Sequence, residues 1–201
     1  MGEQVIISIS REYGSGGHEI AKRISEMFHL PLYDRNLLDE IAKSKNGNQE
    51  TLAKYDEAKR KGLTRSVRGF TTDMAENVAQ LQFEYLREKA SAGESFVIVG
   101  RCAETVLRDF EGLISIFVMG DYEAKLDRVM EKRGFNAKEA ALAIIRHDKS
   151  RKLYHNRYSD FKWGDSRNYE LCINSSKLGV EKTAEALKGY IEARIEEMKN
   201  K

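Results

Sequence analysis

Val5-Ile6-Ile7-Ser8-Ile9-Ser10-Arg11-Glu12-Tyr13-Gly14-Ser15-Gly16-Gly17-His18 is the stretch that decides the fold. Its first half is apolar and β-branched, as a strand buried on both faces should be. Glycines follow at 14, 16 and 17, and then Ile20, Ile24, Met27 and Phe28 fall at helical spacing. A strand, a glycine turn and a helix in that order let backbone N–H groups converge on an anion at a helix start.

The pattern repeats along the chain. Leu30-Pro31-Leu32-Tyr33 is a short extended piece, and Leu37, Leu38, Ile41 and Ala42 form a helical stripe. Residues 44–70 are polar and weakly periodic. Met74, Val78, Leu81 and Tyr85 mark a long helix that Gly93 ends. Strands are predicted at Phe96–Val99, Ile114–Met119 and Leu171–Ile173. Between the last two lie a charged helix through Leu126, Val129 and Met130 and a helix opened by an Asn136/Glu139 capping box. Leu187, Ile191, Ile195 and Met198 line the final helix. Strands alternating with helices predict an α/β fold with a five-stranded parallel sheet flanked by helices in three layers. Ligands in such a sheet bind beyond the carboxyl ends of the strands, which directs attention to Ser10–Gly17, Asp34-Arg35, Gly100-Arg101 and Gly120-Asp121.

At 201 residues, with 41% hydrophobic and 33% charged residues, one domain over 1–201 is expected. The apolar runs are too short to span a bilayer. No charged-then-apolar leader precedes Val5, so the expected compartment is the cytoplasm. Cys102 and Cys172 make no disulfide framework. The net charge of +2 says little, but residues 146–167 hold seven Lys/Arg against three Asp. A second basic cluster is Lys59, Arg60, Lys61, Arg65 and Arg68. Two basic segments in a nearly neutral chain suit a small polyanion better than a long nucleic acid. RNA binding by 146–167 is set aside because the fold needs that segment. His29, His147 and His155 are expected to be isolated on the surface. No spacing of His, Cys and carboxylates suggests a metal site.

Against the P-loop signature Gly-x-x-x-x-Gly-Lys-Ser/Thr, with Gly16 as the second glycine, Arg11 stands for the first glycine, Gly17 for the lysine and His18 for the hydroxyl residue. The run from Ile7 to Gly17 resembles the opening of the cytidylate kinase-like family, within the P-loop nucleoside monophosphate kinases. Three further segments agree in order: Leu32-Tyr33-Asp34-Arg35, Val97-Ile98-Val99-Gly100-Arg101 and Asp148-Lys149-Ser150-Arg151. The likeness covers about residues 4–40 and 96–190; residues 44–93 match only by position.

The resemblance implies a P-loop NTPase fold and an ATP-dependent kinase of a cytidylate-like nucleoside monophosphate or a similar small phosphorylated acceptor, using Mg²⁺ whose ligands are not identifiable. It implies phosphate binding by Gly14, Ser15, Gly16, Gly17 and His18, and acceptor binding by Asp34, Arg101, Asp148 and Arg151. With the lysine missing, Arg11 or His18 is the cation left to restore its charge, and the expected catalytic residues are Arg11, Arg101 and Arg151. An acceptor-binding insertion over 35–93 and a lid over 128–160, with Arg128, Arg133 and Arg157, complete the picture. Arg151, Tyr154 and Arg157, at three-residue steps, are expected to share a helix face. The chain departs from true cytidylate kinases at Gly17, at Cys102 in place of an aspartate, and at Glu40 in place of an arginine. The missing lysine keeps a second reading open: a nucleotide-binding or sensor module without catalysis.

Overall fold

The computed structural model describes residues 4–34, 36–44 and 71–200. Arg35, the 59–68 basic cluster and the middle of the expected 35–93 insertion lie outside them.

The apolar runs form the strands β1 (Ile6–Arg11), β2 (Leu32–Tyr33), β3 (Phe96–Val99), β4 (Leu113–Met119) and β5 (Leu171–Asn174). All neighbours pair in parallel, in the order β2-β3-β1-β4-β5. β1 is central, with Ile6–Ile9 opposite Phe96–Val99 on one side and Ile6–Arg11 opposite Leu113–Val118 on the other.

The period of two sorts β1 between two cores. Ile7 and Ile9 pack with Ile20 and Ile24 of α1 (Gly17–Phe28) and with Leu187 and Ile191 of α7 (Gly179–Lys199). Each such isoleucine, fully buried, contributes about 1.5–3 kcal/mol. Ile6 faces the other way, among Phe96, Ile98, Leu37 and Ile41 of α2 (Leu37–Ser44), and Phe83 and Leu86 of α3 (Thr71–Ser91). A third cluster joins Val129 of α5 (Tyr122–Arg133) to Ala140, Ala143 and Ile144 of α6 (Ala137–Tyr158).

The predicted capping box opens α6. Asn136 Oδ1 accepts from Glu139 N–H (3.0 Å), and Glu139 Oε2 from Asn136 N–H (2.9 Å). Periodicity did not foresee α4 (Ala103–Val106), a single turn that starts just beyond Arg101. Helix α1 leaves β1 on one face of the sheet and α4 leaves β3 on the other. Adjacent parallel strands whose connections part to opposite faces open a crevice at their carboxyl ends.

Candidate functional site

The glycine loop closes that crevice from one side. Gly14 and Gly16 hold left-handed φ values of 84° and 77°, and Gly16 is the N-cap of α1. The loop's carbonyls are turned into the protein. Arg151 Nη1 donates to Arg11 O (3.0 Å), Ser15 Oγ to Glu12 O (2.9 Å), Arg128 Nη1 to Gly14 O (2.7 Å) and Ser175 Oγ to Ser15 O. The amides of Gly14, Gly16 and His18 find no protein acceptor among the described residues. Ser15 N–H and Gly17 N–H make only long bonds of 3.4 Å. Carbonyls bound by the protein and amides left unclaimed make a concavity suited to an anion.

Two carboxylates that sequence reading did not place in this role hold the loop from behind. Glu12 Oε2 accepts from Lys125 Nζ (2.8 Å) and from Gly120 N–H (3.1 Å), tying the loop to the end of β4. Asp148 Oδ1 accepts from Tyr13 N–H at 2.6 Å and lies 3.7 Å from Arg151 Nη1, and its other oxygen lies 3.9 Å from Lys125 Nζ. Asp148, expected to touch the acceptor, thus lines neither cavity described below and serves as a strut beneath the loop. An acidic residue inside a loop expected to bind anions was the one available hint that Glu12 has a protein partner.

Burial pushes the Asp148 carboxyl above its ordinary range, against the opposing pull of Tyr13 N–H, Lys125 and Arg151. A carboxyl raised in the folded state binds its proton more readily there than in the unfolded chain. Its contribution to stability is therefore full at low pH and falls as pH climbs from the ordinary carboxylate value through the raised one. Asp148→Asn keeps an oxygen for Tyr13 N–H and removes that slope. Urea midpoints taken as pH rises from the ordinary carboxylate range should decline more for wild type than for the variant.

Two contiguous cavities open on the crevice. The loop cavity, about 330 Å³, is walled by Gly14, Gly16, Gly17 and His18, and by Arg128, Lys132 and Arg133 of α5. The second, about 240 Å³, is walled by Ser10, Gly100, Arg101, Tyr154, His155 and Trp163. Arg11, Asp34 and Arg151 line both. Asp34, just beyond β2, faces His18 Nε2 at 3.6 Å.

Arg101 stands in a strained turn. Gly100, Arg101 and Cys102 take φ values of 77°, 63° and 52°, three left-handed residues in succession. Non-glycine residues there cost about 1–3 kcal/mol each and persist only where the surroundings over-determine them. Arg101 is held against Tyr154, whose hydroxyl burial pushes up to about 12 while the Arg101 cation pulls the other way. Cys102 is buried, and burial together with Glu104 drives its thiol well above the usual range.

The expectations for His147 and His155 need correction. His29 is exposed, at the left-handed C-cap of α1. His147 stacks on Tyr13 with ring centroids 4.2 Å apart. His155 is 3% exposed, its Nε2 lying 2.8 Å from Glu104 Oε1, and Ser10 Oγ donates to the other Glu104 oxygen at 3.2 Å. This buried Ser10–Glu104–His155 cluster floors the Arg101 cavity.

Arg157 is also elsewhere: its guanidinium pairs with Glu76 of α3 at 2.8 Å and lines neither cavity. Each three-residue step falls about 60° short of a full turn, so two steps carry Arg157 about 120° round α6 from Arg151. Of the aromatic residues of 158–169, Trp163 and Tyr169 pack against Phe117, with ring centroids 5.3 and 5.0 Å away. Among the described residues no cluster of His, Cys, Asp and Glu is arranged to hold a metal. No helix there is long and apolar enough to cross a membrane.

Comparison with known proteins agrees with this geometry. The chain matches the cytidylate kinase-like family over residues 6–177. It is 25% identical to a cytidylate kinase of Pyrococcus horikoshii over 192 residues, 94% of this chain and 90% of that protein. Among solved structures it resembles an uncharacterized protein from Eubacterium ventriosum, with 40% identity, a TM-score of 0.75, and 94% of this chain and 99% of that one covered. It shares its fold with a shikimate kinase from Bacteroides thetaiotaomicron, at 14% identity and a TM-score of 0.53 over 94% of this chain and 98% of that one. The fold is that of the P-loop kinases, and the family relationship supports a phosphotransferase. The chain belongs to the cytidylate kinase-like family.

Proposed function

We propose that the protein transfers a phosphoryl group from ATP to a nucleoside monophosphate of the cytidylate type, or to a similar small phosphorylated acceptor. The observation that carries this reading is the pair of contiguous cavities sharing Arg11, Asp34 and Arg151 at the carboxyl edge of the sheet. Phosphoryl transfer asks a protein chiefly to align two substrates and stabilise the charge moving between them.

In this reading the loop cavity takes the donor's polyphosphate on the amides of Gly14–His18, and Arg128 and Arg133 cover it as part of a lid over 128–160. Arg101 takes the acceptor's phosphate with the bidentate geometry of a guanidinium, and Tyr154 and Trp163 flank the acceptor. Arg11 lies where the two cavities meet, beside the phosphoryl group in flight. Arg151 braces Arg11 through its carbonyl and adds charge to both sides. Residues 35–93 serve as the acceptor-binding insertion. Magnesium commonly binds through substrate phosphates and one or two carboxylates. Asp34, the one carboxylate among the described residues to line both cavities, fits that use, and the ion would neutralise phosphate charge.

A non-catalytic nucleotide-binding module is the second reading, favoured by Gly17 at the lysine position. Diphosphate formation from each nucleoside monophosphate, with ATP and Mg²⁺ and the full-length chain, separates the two. Turnover should be weak and strongest with a pyrimidine monophosphate. Tight nucleotide binding without turnover on any acceptor establishes the second reading instead.

A further inference from the structure

Two glycines shape the space that Arg11 occupies. A Cβ on Gly17 would lie 2.5 Å from Arg11 Cβ and 2.9 Å from its Cγ. A Cβ on Gly100 would lie 2.4 Å from Arg11 Nη1. The stem of Arg11 therefore packs on the first residue of α1, and its guanidinium crosses above the turn that leads to Arg101. The two contacts differ in kind. A guanidinium can swing aside, whereas a Cβ is fixed to the backbone of β1 and cannot.

In the Gly-x-x-x-x-Gly-Lys-Ser/Thr loop the cation stands where this chain has Gly17, and glycine stands where it has Arg11. We propose that Arg11 and Gly17 are an exchanged pair. The phosphate-binding cation has moved from the first turn of α1 to the end of β1, and position 17 is glycine because Arg11 fills the space its Cβ would need. Gly100 completes the slot through which the guanidinium reaches the junction of the two cavities. The ligand class is a phosphate chain, met at that junction. This deepens the phosphotransfer reading and rests on it for the ligand, while the packing relation stands apart from it.

Thermal unfolding of the full-length chain tests the packing. Gly17→Ala should lower Tm by about 4–10 °C, the effect of overpacking in a chain of this size. Measured against Arg11→Gly alone, adding Gly17→Ala should then cost almost nothing. Measured against Arg11→Ala alone, it should still cost most of the original loss, because alanine keeps the clashing Cβ. A neutral Gly17→Ala, or equal relief by Arg11→Ala and Arg11→Gly, overturns the exchange.

Calorimetric titration with inorganic tripolyphosphate tests the cation. Arg11→Gly should weaken binding about 3- to 10-fold, the net cost of losing one hydrogen-bonded contact, and R11G/G17K should regain at least half of that loss on a logarithmic scale. Binding by R11G/G17K no tighter than by Arg11→Gly contradicts the proposal. Absence of tripolyphosphate binding by wild type would instead sink the phosphotransfer reading and the cation's role with it, and the unfolding series would still decide the packing.

Discussion

Arg11→Ala is expected to lower turnover by about 100-fold or more while nucleotide affinity falls only a few-fold. Removing one preorganised donor aimed at developing charge has an effect of that size. An interaction made mainly in the transition state lowers kcat and kcat/KM together and leaves ground-state binding largely intact. Arg11 meets the conditions for that role: it lines both cavities, and its carbonyl is fixed by Arg151 at 3.0 Å. Initial rates and nucleotide titrations on wild type and variant provide the check. Turnover by Arg11→Ala equal to wild type removes Arg11 from this role, and His18, in the loop cavity beside Asp34, becomes the next candidate.

Glu104→Ala is expected to cost about 2–5 kcal/mol of stability, since removing the shared acceptor leaves two buried hydrogen-bonding groups unsatisfied. The change strips the Nε2 of His155 and the hydroxyl of Ser10 of their shared acceptor, both in the buried interior. In a chain of this length Tm falls by roughly 10 °C. Glu104→Gln keeps an oxygen in place and should cost less, about 1–2 kcal/mol. Both Ser10 and His155 also wall the Arg101 cavity, so Glu104→Gln should raise KM for the acceptor more than KM for ATP. A double-mutant cycle with His155→Ala should show strong coupling, the second change costing far less than it does alone. Additive losses would mean that the two side chains stabilise the fold independently.

The frame of the protein was legible because burial on both faces writes itself as continuous apolar runs. Ile6–Ile9, Phe96–Val99 and Ile114–Met119 are strands for that reason, and their carboxyl ends point to the crevice from the sequence alone. The capping box at Asn136 was equally readable, because its two hydrogen bonds depend on residues only three apart. Long-range pairing was not. Glu104 and His155 are 51 residues apart, and Glu12 and Lys125 are 113 apart; nothing local marks either pair. The resemblance drew attention to Asp148, but whether it faces ligand or loop depends on how α6 rolls against α5, which spacing cannot report. The left-handed run at Gly100–Cys102 was hidden as well, since two of its three residues are not glycine.

The central claim is that the two cavities are the donor and acceptor halves of one phosphoryl-transfer site joined at Arg11. A bisubstrate compound, adenosine linked to cytidine through five phosphates, addresses it most directly by calorimetry. If both halves engage at once, the second binds at the high effective concentration set by the linker, and affinity should exceed that for ATP by about 100-fold or more. Arg11→Ala should weaken the bisubstrate only a few-fold and leave most of that gain in place, because the linkage supplies it. A bisubstrate affinity no greater than that of ATP alone would contradict the claim.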